Sequence, residues 1–226
     1  MAELKNGWIK YWKERVENKG EYYGKKGANS DKIIKLLEIR KKDKILDIGC
    51  AKGAHLTDIR KKTSAGCYGI DISPIAIKLN KDKKIKLSVA DMEKTGFRSN
   101  SFTKVFSLGV FEHTPNSIKV FKELNRIMKI KGLAYISVPN KYSFFHITKN
   151  IKMLIGIWDL GYEKSFSKSE INKLLNKTGF KLRKYWVENH IHPANIFNWL
   201  DNFLNKINKK QFGFFNHFVI KKIKDA

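Results

Sequence analysis

Cysteine is nearly absent from this chain of 226 residues: Cys50 and Cys67 are the only two, with no paired spacing. That excludes a disulfide framework and a cysteine-based zinc module, and leads us to expect a reducing, cytoplasmic setting. No apolar run reaches the ~18 to 20 residues of a membrane span, and the first residues, Met1 to Asn6, lack the apolar core of a signal segment. Acid is scarce too, 21 Asp and Glu against 46 Lys and Arg, for a net charge of +25. Such an excess can mark a nucleic-acid binder. Arginine, however, occurs only at Arg15, Arg40, Arg60, Arg98, Arg126 and Arg183. It is the side chain favoured for bidentate phosphate and base contacts. The lysines are scattered among Ile and Asn along the whole chain, as on a solvated surface, so nucleic acid is a disfavoured partner. No repeats or low-complexity linkers break the chain, and the length suits a single domain, 1–226.

Two nucleotide-binding signatures are also missing. After the apolar run Ile45-Leu46-Asp47-Ile48, a dinucleotide fingerprint would place glycines at 49, 51 and 54, but Ala51 and Ala54 stand there. The Gly-Lys-Ser/Thr end of a phosphate-cradling loop is absent as well. What is present is a short buried strand and a turn, Gly49-Cys50-Ala51-Lys52-Gly53, with a helix resuming near Ala54. Strand, glycine turn and helix build nucleotide sites at the carboxyl end of a first strand. The glycines permit a tight turn and a close ligand approach, and Asp47 puts a carboxylate where a cationic ligand could meet it. An ordinary strand–helix turn would use the same glycines.

The pattern Asp47-x-Gly49-x-x-x-Gly53 resembles the first motif of the class I S-adenosylmethionine-dependent methyltransferases, with Ala51 in place of the middle glycine. A second strand, from Gly66 to about Ser73, carries Asp71 roughly 20 residues past the glycine loop, the spacing at which a carboxylate accepts ribose hydroxyls. A helix N-terminal charge is the alternative role for Asp71. Ser73-Pro74 starts the next helix. A third strand runs Lys86 to Met92 and ends in Asp91; the resemblance implies that this acid meets the adenine amino group, with Met92 against the adenine face. Strand, turn and acid thus recur three times, at Asp47, Asp71 and Asp91.

The fourth strand, Phe102 to Gly109, leads into Val110-Phe111-Glu112-His113-Thr114-Pro115-Asn116. A helix from Ser117 should turn Ile118, Phe121, Leu124 and Ile127 inward. Lys131-Gly132 reads as a turn before a fifth strand, Leu133 to Asn140. This succession is most like the ubiquinone-biosynthesis O-methyltransferase group, and the resemblance spans roughly residues 30–222. It implies an α/β fold: a Rossmann-like, seven-stranded, mostly parallel sheet with helices on both faces and the last strand antiparallel. The implied cofactor is S-adenosylmethionine, held by Asp47, Gly49, Cys50, Ala51, Gly53, Asp71, Ile72, Asp91, Met92, Leu108 and Gly109. The implied partner is a small-molecule acceptor.

His113 is the candidate base for an oxygen acceptor, with Glu112 beside it; shaping the loop is the other role open to both. The quinone group links E-x-x-E-H to a divalent metal, but Gly109 replaces the first acid, so no metal is expected. His190 and His192 form too small a set for a metal. The aromatics Trp8, Tyr11, Trp12, Tyr22 and Tyr23 lie in a region, 1–40, that reads as a helical lid. Residues 141–165 are apolar with basic flanks, an insertion that covers the acceptor site or lies on a membrane surface. Ser167 and Glu170 have capping-box spacing. A nucleic-acid methyltransferase is the competing function; Asp/Asn-Pro-Pro-aromatic is missing after the fourth strand, and neither cysteine follows proline. A non-catalytic chain retaining the fold is the third reading.

Overall fold

A computed structural model describes Lys13 and residues 30–156, 162–188, 203–204 and 212–226. The lid aromatics of 1–29 and the pair His190 and His192 lie outside the described residues. The order is α1 (Asp31–Leu37), β1 (Lys44–Ile48), α2 (Ala54–Thr63), β2 (Gly66–Asp71), α3 (Pro74–Lys78), β3 (Lys86–Val89), β4 (Phe102–Leu108), α4 (Ser117–Ile127), β5 (Met128–Pro139), α5 (Phe144–Leu154), α6 (Lys168–Lys177), β6 (Phe180–Glu188) and β7 (Phe215–Lys222). A 3₁₀ turn, Phe111–His113, follows β4.

The strands form one sheet in the order β3-β2-β1-β4-β5-β7-β6. β1, β2, β3, β4 and β5 pair in parallel, and β7 runs antiparallel to both β5 and β6. Strand alternation divides the core in two. Leu46, Ile48, Val105 and Ile136 face α4 and α6, where Val120, Phe121, Leu124, Ile171 and Leu175 are buried. Ile45, Cys67, Phe106 and Val219 face α1 and α2, meeting Ile33, Leu37, Leu56 and Ile59. Each fully buried aliphatic side chain of this kind contributes about 1.5–3 kcal/mol. The Rossmann-like doubly covered sheet with one antiparallel strand is therefore present.

Three local expectations are corrected. Ile118 is 42% exposed and Val120 takes the inward position, because Phe121, Leu124 and Ile127 define a stripe from which Ile118 sits roughly a third of a turn away. The expected turn at Lys131-Gly132 lies inside β5: Lys131 has φ +68°, and the pairing slips from Phe102↔Met128 to Lys104↔Leu133, a bulge that keeps the strand continuous. β3 ends at Val89, before Asp91. The capping box of Ser167 and Glu170 is formed, and Ser73 caps α3 with Pro74 in its first turn.

Candidate active site

The order β3-β2-β1-β4 places four successive strand ends side by side. With strands ~4.8 Å apart, they span roughly 14 Å. Along this edge stand, in turn, Asp91, Asp71, the Asp47–Gly53 segment and Gly109. Brought together at the carboxyl ends of parallel strands, they occupy the position where open α/β sheets bind ligands.

The loop after β1 is fixed by backbone bonds. Gly49 and Cys50 both donate to the Ile70 carbonyl, at 2.8 and 3.0 Å, and Gly53 donates to the Cys50 carbonyl at 2.8 Å. Gly49 has φ +81°, and a Cβ there would stand 2.2 Å from Val110 Cγ2. The glycine is thus required by backbone sign and by the neighbouring β4 loop, not only by a ligand. Ala51 occupies the left-handed region as well, with φ +48°. Its N–H donates to Asp71 Oδ2 at 2.9 Å, and Ser73 N–H donates to Oδ1 at 2.9 Å. Asp71 therefore ties β2, α3 and the glycine loop into one rim, and each of its oxygens retains acceptor capacity. Ile72 follows it, half-buried on the same rim.

Asp47 is 5% exposed. Burial first, and the Asp71 charge second, hold its carboxyl well above the usual range. Burial also raises Asp71, opposed by the N–H groups of Ser73, Ala51 and Ile72. Two carboxyls crowded toward the carboxyl ends of two adjacent strands make a place that a cation relieves. Cys50 is buried, and its thiol is raised first by burial and then by the Asp47 and Asp71 charges, so it packs as an inert hydrophobe. At the neighbouring end, Ala90 N–H donates to the Asp71 carbonyl at 3.0 Å. Asp91 Oδ1 accepts the Glu93 N–H at 2.9 Å, and Met92 packs on the core.

On the other side, Leu108 packs against the second core layer and Gly109, φ +70°, donates to the Ser137 carbonyl at 3.1 Å. The following turn holds Glu112 and His113. Glu112 is 3% exposed and its Oε2 has no hydrogen-bond partner; burial, with Glu163 adding to it, pushes its carboxyl up to about 8. Burial therefore favours its neutral form. His113 is held below its ordinary value chiefly by burial. Its Nδ1 lies 3.3 Å from the Tyr162 carbonyl. A carbonyl only accepts, so Nδ1 carries the hydrogen and the lone pair is on Nε2.

Behind this pair lies a cluster that sequence reasoning missed. Lys149, fully buried on α5, donates to the Glu163 carbonyl at 3.1 Å, to Glu163 Oε1 at 2.9 Å and to Ser165 Oγ at 3.0 Å. Lys164 N–H donates to the Glu112 carbonyl at 2.9 Å. Lys149 thus clamps the 162–165 strap, and the strap orients His113. His146, one helical turn before Lys149, is buried with neither ring nitrogen hydrogen-bonded, Nδ1 lying 3.8 Å from Glu163 Oε1, and burial, then the Lys149 charge, lowers it to about 3. A lysine among the aromatics and isoleucines of 144–155 was the available signal. Among the described residues, no group of three or more His, Cys, Asp or Glu could hold a metal ion.

A methyltransferase-domain family matches residues 22–185, well over half the chain. An uncharacterized protein of Methanocaldococcus jannaschii is 29% identical over 91% of both chains. Phosphoethanolamine N-methyltransferase 2 of Caenorhabditis elegans is 29% identical over 66% of this chain and 35% of its own length; the chain spans only about a third of that relative. Among solved structures, a chain from the complex of the Haloferax volcanii Trm112 methyltransferase activator with a methyltransferase superposes with a TM-score of 0.67, at 15% identity over 98% of both chains. Phosphoethanolamine N-methyltransferase 2 of Haemonchus contortus, bound to phosphomonomethylethanolamine and S-adenosylhomocysteine, gives 0.62 at 17% identity, over 85% of this chain and 51% of its own. Matched in sequence across its sheet and in topology by these folds, the chain belongs to the class I S-adenosylmethionine-dependent methyltransferases.

Proposed function

We propose that this enzyme methylates an oxygen of a small-molecule acceptor, with His113 as general base. The observation that carries this reading is the state of His113. A half-buried, neutral imidazole, fixed by the Tyr162 carbonyl in the tautomer with its lone pair on Nε2, stands at the carboxyl end of β4. An amine acceptor attacks through its own lone pair. A hydroxyl gains from losing its proton as the new bond forms, and a base of this kind serves that need. Glu112, neutral beside it, is suited to donate a hydrogen bond to an acceptor oxygen.

In this reading the donor lies along the strand ends. Asp91 and Met92 meet its adenine, Asp71 and Ile72 its ribose. Asp47 with Gly49, Cys50, Ala51 and Gly53 meets the cationic amino-acid portion, and Leu108 and Gly109 close the other side. The unneutralised pair of Asp47 and Asp71 fits a positively charged ligand. S-adenosylmethionine, when bound, supplies a methyl carbon already activated by sulfonium charge. The protein's own work is positioning and removal of the acceptor proton.

The test is His113→Asn, assayed with labelled methyl donor against hydroxyl acceptors, beside calorimetry with S-adenosylhomocysteine. Turnover should fall by about 10²-fold or more while cofactor affinity holds. The acid limb of the wild-type rate profile should lie below pH 6.5, since burial lowers the histidine. Unchanged turnover in the variant removes His113 from the chemistry.

A further inference from the structure

Helix α5 is built inside out. Its buried residues are His146 and Lys149, while Ile147, Ile151, Leu154 and Ile155, at its end, are 39, 54, 87 and 61% exposed. At 100° per residue these four fall on one arc, opposite the buried pair. Tyr142, just before the helix, is exposed as well. Isolated exposed apolar residues are ordinary; a contiguous stripe along one helix marks an interaction surface.

The surroundings say what kind. From Lys141 to Gly156 there is no Asp or Glu, and Lys141 and Lys152 are exposed beside the stripe. The nearby carboxyl of Glu163 is engaged by Lys149. The whole chain carries +25. An 11-residue helix is about 16 Å long, and among the described residues no helix is long and apolar enough to cross a membrane. Apolar side chains on one face with lysines at the flanks suit a helix lying in the interface plane of an anionic bilayer.

We propose that α5 seats this enzyme on an anionic lipid bilayer, and that the methyl acceptor is a lipid-soluble hydroxyl compound drawn from that bilayer. The second half rests on the reading of His113 as base; the seat itself does not. The link between them is position. α5 follows directly from the carboxyl end of β5, Ser143 N–H donating to the Asn140 carbonyl at 3.2 Å, so it stands at the same edge of the sheet as the glycine loop and the Glu112–His113 turn. Its inner face holds the strap that orients His113. A bilayer against its outer face therefore lies on the acceptor side of the site.

The experiment is co-sedimentation of the full chain with phosphatidylcholine vesicles, with and without phosphatidylglycerol. It compares wild type with the double variant Ile151→Gln, Leu154→Gln, which keeps both charge and helix propensity. Wild type should partition onto the anionic vesicles and far less onto neutral ones, and the variant's partition should drop about tenfold or more. Equal partition of the two proteins would mean that diffuse positive charge alone binds, and overturns the proposal. So does an absence of wild-type binding, or a wild-type dimer in sedimentation velocity that the variant splits, since a second copy would then cover the stripe. S-adenosylhomocysteine titration of the same samples keeps the two ideas apart. Cofactor binding without vesicle binding defeats the seat alone, and vesicle binding without cofactor binding defeats the methyl-transfer reading alone.

Discussion

Glu112 offers a sharp quantitative check. Its carboxyl is buried, with Oε2 unpartnered, and burial pushes it up to about 8 from an ordinary 4.5. A carboxyl raised in the folded state binds its proton more tightly there than in the unfolded chain. As pH rises through 4.5 the unfolded chain releases this proton and the folded one does not, so stability falls, and the fall continues until the folded group also ionises near 8. Each pH unit in that window is worth about 1.36 kcal/mol, which sets an upper limit of about 5 kcal/mol between pH 4.5 and pH 8; water penetration and relaxation reduce it to about 3. Glutamine matches the neutral acid in shape and cannot ionise. Urea denaturation of wild type and Glu112→Gln at pH 5, 6.5 and 8 should therefore give two curves of ΔG that diverge with pH, the variant gaining about 3 kcal/mol on the wild type over the range. Asp47 and Asp71 are raised too, but they titrate in both proteins and cancel in the difference. Parallel curves would refute the assignment of Glu112 as a buried neutral acid.

Three other perturbations follow from the same geometry. Gly49→Ala should cost about 1–2 kcal/mol for the left-handed backbone and about 1–3 for overlap with Val110; combining it with Val110→Ala should return the second part only, read by thermal or urea unfolding. Lys149→Met removes three hydrogen bonds and strands Glu163. We expect about 3 kcal/mol of destabilisation, the low end for a broken buried pair, and a shift of His113 toward mixed tautomers in ¹⁵N spectra, which simple loss of stability would not produce. Ser167→Ala dissolves the capping box of α6 and should cost about 1 kcal/mol, with cofactor affinity unchanged by calorimetry.

Much of the sheet was legible because its strands are short apolar runs punctuated by glycine and acid. Ile45 to Ile48, Gly66 to Asp71 and Phe102 to Leu108 declare themselves in this way, and their adjacency follows from the right-handed crossovers that parallel strands require. Errors arose where a side chain or a neighbour overrode the local pattern. β3 stops short of Asp91 because Ala90 is bonded to the Asp71 carbonyl and Asp91 turns back to Glu93. Lys131 and Gly132 look like a turn, yet a bulge opposite Phe102 and Lys104 absorbs them. The individual acids at the strand ends could be read from spacing. The state of Glu112 could not, since its burial depends on elements far along the chain.

Helix α5 shows most clearly what periodicity misses. From its sequence the stripe of Ile147, Ile151 and Leu154 belongs inside. Rolling the helix half a turn would bury those three side chains, worth about 1.5–3 kcal/mol each, and return Lys149 to water. The fold takes the other orientation, so the contacts on the polar side must contribute on the same scale. They are identifiable: three hydrogen bonds from a buried ammonium, one of them to a carboxylate, to a strap 14 and 16 residues later. Charged hydrogen bonds are worth roughly 1.5–3 kcal/mol each, which makes the two orientations comparable in energy. An orientation so nearly balanced is decided by what it does for the site. Lys149 inward holds the Tyr162 carbonyl against His113, and the same rotation leaves the apolar stripe facing outward at the acceptor end of the sheet.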